Sequence, residues 1–329
     1  MSHWPLERDL ERSFRAATET RERIAAFVRR TPLLRADGGR RLLKLESLQH
    51  TGSFKVRGAA SAITAGDRPR EIVAASTGNH GLAVAAIART IEVPCRIFVP
   101  ASAASAKLAR LAQAGVELVS VDGDPLRAEL AAREDCERRE GVLLVAPYND
   151  RRVVLGQATL GLELLDELGG EAPDALFAAV GGGGLIAGLA IVLRSHWPRC
   201  RIVGCLPAAS PAMAEAVAAG VVVDSPLRPT LSDATAGNIE AATITLAICA
   251  ALVDEWALVE EAEIAAAMRG ALLERHLAIE GAAAVALAAS LRAEDGERHL
   301  VVVGGGNVGA ETLRAIIQGA GRAAERADG

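Results

Sequence analysis

Aromatic side chains make up only 3% of the 329 residues, although half of the chain is hydrophobic. Small aliphatic residues must therefore fill the core, and runs such as Ala282-Ala283-Ala284 predict helices packed at close range. The apolar content suffices for a sizeable core, and the length suits two domains. Cysteine is equally sparse. The five residues Cys95, Cys136, Cys200, Cys205 and Cys249 form no CxxC pair, and their number is odd. That excludes a disulfide framework and predicts reduced thiols in a cytoplasmic protein. No apolar run reaches the length of a membrane helix without a charge or a glycine cluster. Excess positive charge is missing too: the net charge is -5, which gives no reason to expect nucleic acid or an anionic membrane as partner. Residues 1–30 are heavily charged and read as a helix, not a signal peptide. The tail Gly321–Gly329 reads as frayed.

Internal repeats and low-complexity linkers are also absent. What the chain has is alternation. Short apolar runs at Glu71–Ala75, Pro94–Val99, Glu117–Val121, Val142–Ala146, Ala175–Val180, Arg201–Leu206 and His299–Val303 each lead through a turn into an alanine-rich helical pattern. This predicts a doubly wound α/β fold with parallel-rich sheets flanked by helices, and active-site loops at the C-terminal strand ends. Two domains are expected, one inserted in the other.

Two glycine loops follow such strands. Gly181-Gly182-Gly183-Gly184-Leu185 opens the pattern Ile186–Arg194, and Gly304-Gly305-Gly306-Asn307-Val308-Gly309 opens Ala310–Ile317. Both fit a loose GxGxxG/A template. A dinucleotide site also needs an acid at the end of the next strand. After the first loop that strand ends in Leu206-Pro207, and after the second no further strand follows. What remains is simpler. Glycines let backbone amides converge on one anion at a helix N-terminus, and a phosphate monoester fits the first loop. A tight turn with no ligand is the competing reading.

Lysine chemistry is offered by Thr51-Gly52-Ser53-Phe54-Lys55-Val56-Arg57-Gly58. Thr51-Gly52-Ser53 reads as a turn and cap, with a helix from Phe54 to Ala65. Lys55 then lies on the first turn, where the helix end disfavours a cation. Schiff-base chemistry needs such a depressed amine, although a lysine so placed is more often simply solvated. The next loop, Ser76-Thr77-Gly78-Asn79-His80-Gly81, also opens a helix, and it suits either a carboxylate or an ordinary cap.

The order of these motifs, with Gly156-Gln157-x-Thr159 between them and Gly305-Gly306-Asn307 at the end, resembles the serine/threonine dehydratase and serine racemase family. These are pyridoxal 5'-phosphate (PLP) enzymes of fold type II, the tryptophan-synthase β fold. The resemblance covers nearly the whole chain. It implies a discontinuous large PLP-binding domain (1–67 and 151–329) and a small substrate-loop domain (68–150). It also implies the short catabolic form, without a regulatory domain, and a homodimer or homotetramer. Lys55 would carry the cofactor and later take the substrate Cα proton, with Phe54 packed beside the ring. Asn79 would bond the pyridine O3′. Ser76, Thr77, Asn79 and His80 would bind the substrate carboxylate through their loop, and Gly181, Gly182, Gly183, Gly184 and Leu185 would hold the phosphate. Glu280 would lie near the ring and Asp233 on the substrate side, with a plain surface carboxylate as the alternative for both.

Three departures qualify the resemblance. Gly304 stands where the family has Ser, Thr or Cys facing the pyridine nitrogen, so the ring loses a side-chain partner. A weaker electron sink suits β-elimination better than a long-lived carbanion. Leu206 and Ala212 stand where metal-dependent members place acids, so no metal is expected. Thr77 stands where racemases have a catalytic serine, and its methyl restricts χ1. The resemblance thus implies β-elimination from a β-hydroxy amino acid, giving a 2-oxo acid and ammonia. Alternatives are a dehydratase-like enzyme of (hydroxy)ectoine catabolism, prompted by Thr230–Glu240, an amino-acid racemase, and a non-enzymatic PLP- or amino-acid-binding module.

Overall fold

The computed structural model describes residues 10–123, 125–293 and 296–319; the tail expected to fray lies outside them. Ten strands are described: β1 (Leu33–Ala36), β2 (Arg41–Lys44), β3 (Glu71–Ala75), β4 (Cys95–Pro100), β5 (Glu117–Val121), β6 (Val142–Leu144), β7 (Ala175–Ala179), β8 (Arg201–Pro207), β9 (Glu255–Val259) and β10 (His299–Val302). Between them run the helices α1 (Leu10–Ile24), α2 (Lys55–Ile63), α3 (Asn79–Thr90), α4 (Ser105–Gln113), α5 (Pro125–Glu137), α6 (Arg151–Leu168), α7 (Gly184–His196), α8 (Ala212–Ala219), α9 (Ile244–Leu252), α10 (Glu261–Arg275), α11 (Gly281–Arg292) and α12 (Ala310–Ile317).

The strands form two sheets, one ordered β1-β2-β10-β7-β8-β9 and the other β5-β4-β3-β6. Every strand pair is parallel except β1–β2. Neighbouring residues of a strand point to opposite faces. Leu42, Leu176, Ile202 and Leu300 therefore enter one core, and Leu43, Phe177, Val203 and Val301 enter another on the far side. A sheet buried on both faces is the doubly wound α/β arrangement expected from the sequence.

The apolar runs mark their strands to within two residues, and the charged N-terminal segment contains α1. Three strands escape the sequence reading. The β1–β2 hairpin alternates weakly, since β1 is half-exposed, and β2 ends in the charged but fully buried Lys44. At the sheet edge, β9 buries only Val259 fully, and Glu255 and Leu258 are exposed. The N-terminal end of α2 also differs from expectation. Thr51–Ser53 turns the chain, but among the described residues no side chain caps the helix and Ser53 Oγ is buried without a partner.

Candidate active site

At the C-terminal ends of β3, β7 and β10 lies a cavity of about 270 Å³, lined by Lys55, Asn79, Gly182, Glu280 and other residues of the predicted motifs. The fold brings these together because parallel strands all deliver their following loops to one edge.

Lys55 begins α2, and its Nζ donates to the Pro147 carbonyl at 2.8 Å. Burial pushes its amine down to about 8, against the opposing pull of Glu280 and Glu129. The Phe54 ring lies beside it, with Nζ 5.5 Å from the ring centroid. The other two lysines of the chain have other partners. Lys44 is fully buried in ion pairs with Glu163 and Glu167, and Lys107 pairs with Asp233 on the surface.

The tetraglycine loop joins β7 to α7. Gly183 sits at φ +81°, a conformation that favours glycine, and turns the chain into the helix. Among the described residues the N–H groups of Gly181, Gly182 and Gly183 have no hydrogen-bond acceptor. Free amides at a helix N-terminus, opening into a cavity that also holds a depressed lysine, fit a phosphorylated aldehyde such as PLP. Leu185 completes that wall.

Asn79 is the first residue of α3. Its Nδ2 donates to Glu280 at 2.8 Å and 3.0 Å, and its Oδ1 accepts from Asn307 at 2.6 Å. Burial raises the Glu280 carboxyl to about 7, although the Asn79 bond pulls the other way. Glu280 is 5% exposed, which removes the surface alternative for it. Asp233 is different. It lies exposed at the cavity rim, where its carboxylate accepts from Lys107 Nζ at 2.8 Å. Ser76 and Thr77 line the cavity, half-buried, and Ser76 Oγ accepts from the Gly78 N–H at 3.1 Å. The His80 ring donates from Nε2 to the Val145 carbonyl at 2.8 Å, so only its backbone remains for a carboxylate. Burial, together with the charge of Lys55, lowers that imidazole to about 3 and keeps it neutral. Gly304 presents no side chain to the cavity, and its carbonyl accepts the Phe54 N–H at 3.0 Å. Leu206 and Ala212 are buried.

Sequence reasoning overlooked Pro147-Tyr148-Asn149. Pro147 supplies the acceptor for Lys55. Tyr148, the sole tyrosine, lies so close to the glycine loop that a Cβ built on Gly182 falls 2.2 Å from its ring. The only signal was position, since the segment follows β6 at the sheet edge that carries the site.

Comparison with known proteins agrees with this geometry. Residues 24–305 match the family model described as pyridoxal-phosphate dependent enzyme. The L-threonine ammonia-lyase of Geobacter sulfurreducens is 37% identical over 316 residues, covering 91% of this chain and 77% of that protein. Maize serine racemase superposes with a TM-score of 0.84 at 28% identity, covering 93% of this chain and 96% of its own. The processed form of threonine deaminase isoform 2 from Solanum lycopersicum superposes with a TM-score of 0.88 at 25% identity, covering 98% of this chain and 91% of its own. With the lysine, the free glycine amides and the fold all in agreement with these matches, the chain belongs to the pyridoxal-phosphate dependent enzyme family.

Proposed function

We propose that the protein is an ammonia-lyase that dehydrates a small β-hydroxy amino acid, threonine or serine, to a 2-oxo acid and ammonia. One observation carries the reading: an amine held near 8 shares a cavity with free phosphate-binding amides and with the Asn79 loop. When bound, PLP holds the substrate amine and withdraws electrons from Cα. The chain supplies the rest. Gly181–Leu185 would hold the phosphate, Phe54 would pack beside the ring, and Asn79, oriented by Glu280 and Asn307, would bond its O3′. Loop 76–80 receives the substrate carboxylate, with Asp233 at the open end of the cavity. Lys55 Nζ takes the Cα proton and returns it to the β-hydroxyl, which leaves as water. The released enamine tautomerises and hydrolyses to the 2-oxo acid and ammonia.

The two-domain division at 1–67 with 151–329, and 68–150, belongs to this proposal; it is supported by the separate four-stranded sheet. So do a cytoplasmic location, which suits five free thiols, and a homodimer or homotetramer. The deciding experiment is a substrate panel, containing L-threonine, L-serine and hydroxyectoine-derived amino acids, scored for ammonia, 2-oxo acid and inversion at Cα. Ammonia and 2-oxo acid in equal amounts from threonine or serine are expected. Inversion without ammonia, or turnover of only the ectoine-derived compounds, would replace this reading.

A further inference from the structure

Beside the cavity, two carboxyl groups from separate elements approach each other. Glu129 lies on α5, whose Ala128 and Ala132 pack on Val73 and Phe98 of the four-stranded sheet. Glu240 lies in the segment before α9. Each carboxyl acts on the other's charge, and Arg133, one turn along α5 from Glu129, reaches Glu240 Oε2 at 3.3 Å. Yet Glu129 Oε1 and Glu240 Oε1 are both buried, and among the described residues no donor reaches either. Two acceptors cannot bond each other, but one proton between them satisfies both. The other groups facing the pair are accounted for. Glu240 Oε2 accepts from Asn149 Nδ2 at 2.7 Å and from Arg133 at 3.3 Å. The Glu240 N–H donates to the Tyr148 hydroxyl at 2.9 Å, and the charge of Lys55 acts on Glu129 from α2.

Glu240 thus anchors the segment in which Pro147 holds Lys55, Tyr148 lies on the glycine loop, and Asn149 accepts from the Ile244 N–H at 3.0 Å. We propose that Glu129 and Glu240 share one proton, and that this proton latches α5 and its sheet onto the Pro147–Asn149 segment that supports Lys55. The two glutamates are positioning residues. When the proton is lost, like charges face each other and the latch loosens. Burial and the contact with Glu240 raise the Glu129 carboxyl to about 7, so release falls near neutral pH.

The test does not depend on turnover, so its failure is separable from failure of the proposed function. Tyr148 is the sole tyrosine, and isotope-labelled tyrosine therefore gives one ring signal from the purified full chain. In the wild type that signal should move between about pH 6 and about pH 8, and α5 amides should lose hydrogen-exchange protection beyond the intrinsic pH effect. Glu129→Gln places an amide donor where the shared proton lies. Its signal should stay at the acid position and its α5 amides should stay protected. Glu129→Ala should show the alkaline behaviour throughout. A wild-type signal that does not move, protection unchanged across the range, or titration in Glu129→Gln like the wild type would each overturn the latch.

Discussion

At the scale of single residues, the site rests on Lys55 and on what surrounds its amine. Borohydride treatment of the PLP-loaded protein should fix the cofactor on the Lys55 peptide, and an adduct on Lys44 or Lys107 would refute the assignment. Lys55→Ala should retain weaker PLP binding through the glycine loop and lose at least about 100-fold in turnover. Because burial lowers the amine, its neutral fraction should rise through about pH 8, well below the range of an ordinary lysine. The rate of Lys55 modification by an amine reagent, followed against pH in the cofactor-free protein, measures that midpoint. Gly183→Ala tests the loop. The sequence alone predicts a loss mainly of PLP affinity. The structure adds a cost to the fold, because the new Cβ falls 2.9 Å from Met213 Cε and 3.1 Å from Cys249 Sγ at a positive φ. Urea unfolding with and without PLP should show about 1–3 kcal/mol lost in the bare protein and a further loss of cofactor stabilisation. Lysine and glycine roles were legible in the sequence because their chemistry is local. The roles of Tyr148, Asn149 and Glu240 were not, because each acquires meaning only from partners tens of residues away.

At the scale of elements, the position of Lys55 is that of α2, and α2 is fixed by charge and close contact. Arg57, two residues on, is 1% exposed. Its guanidinium donates to both Glu46 oxygens at 2.8 Å and to Glu163 at 2.8 Å. The backbone of α2 also touches α6 directly, and a Cβ on Gly156 would fall 2.5 Å from the Arg57 carbonyl. Arg57→Ala would leave the buried Glu46 carboxylate without its paired cation and Glu163 with Lys44 alone, and chemical denaturation should report a loss of about 3–5 kcal/mol. The same network predicts an acid limit. Burial alone would raise Glu46, but Arg57 outweighs it and holds the carboxyl below its usual value. A depressed carboxyl contributes stability above its unfolded value, and that stability is lost as pH falls through the folded value. Melting temperature should therefore drop on acidification below about pH 4.5, and less so in Arg57→Ala. An apolar strand such as β3 was legible from end to end, since a strand buried on both faces is a near-continuous apolar run. The hairpin of β1 and β2 was hidden because Lys44, a charged residue, occupies a core position there, and Glu163, Glu167 and the Thr31 carbonyl explain how it can.

At the scale of the whole molecule, the doubly wound sheets were legible from alternation, and the cavity followed from their topology. The metal question also belongs here. With Leu206 and Ala212 buried and offering no oxygen ligand where the resemblance would put the acids of metal-dependent members, dialysis against a chelator should leave ammonia release within about twofold of its starting value. Collapse of activity and its return with Mg²⁺ would place a site elsewhere in the chain. The distribution of amines has a practical consequence. Lys44 is sealed in the core and Lys55 is half-buried in the cavity, whereas Lys107 stands exposed at the rim. With cofactor on Lys55, an acylating reagent or surface-coupling chemistry meets one accessible lysine, Lys107. A dye or tether attached there would sit on α4, at the entrance that any substrate must pass.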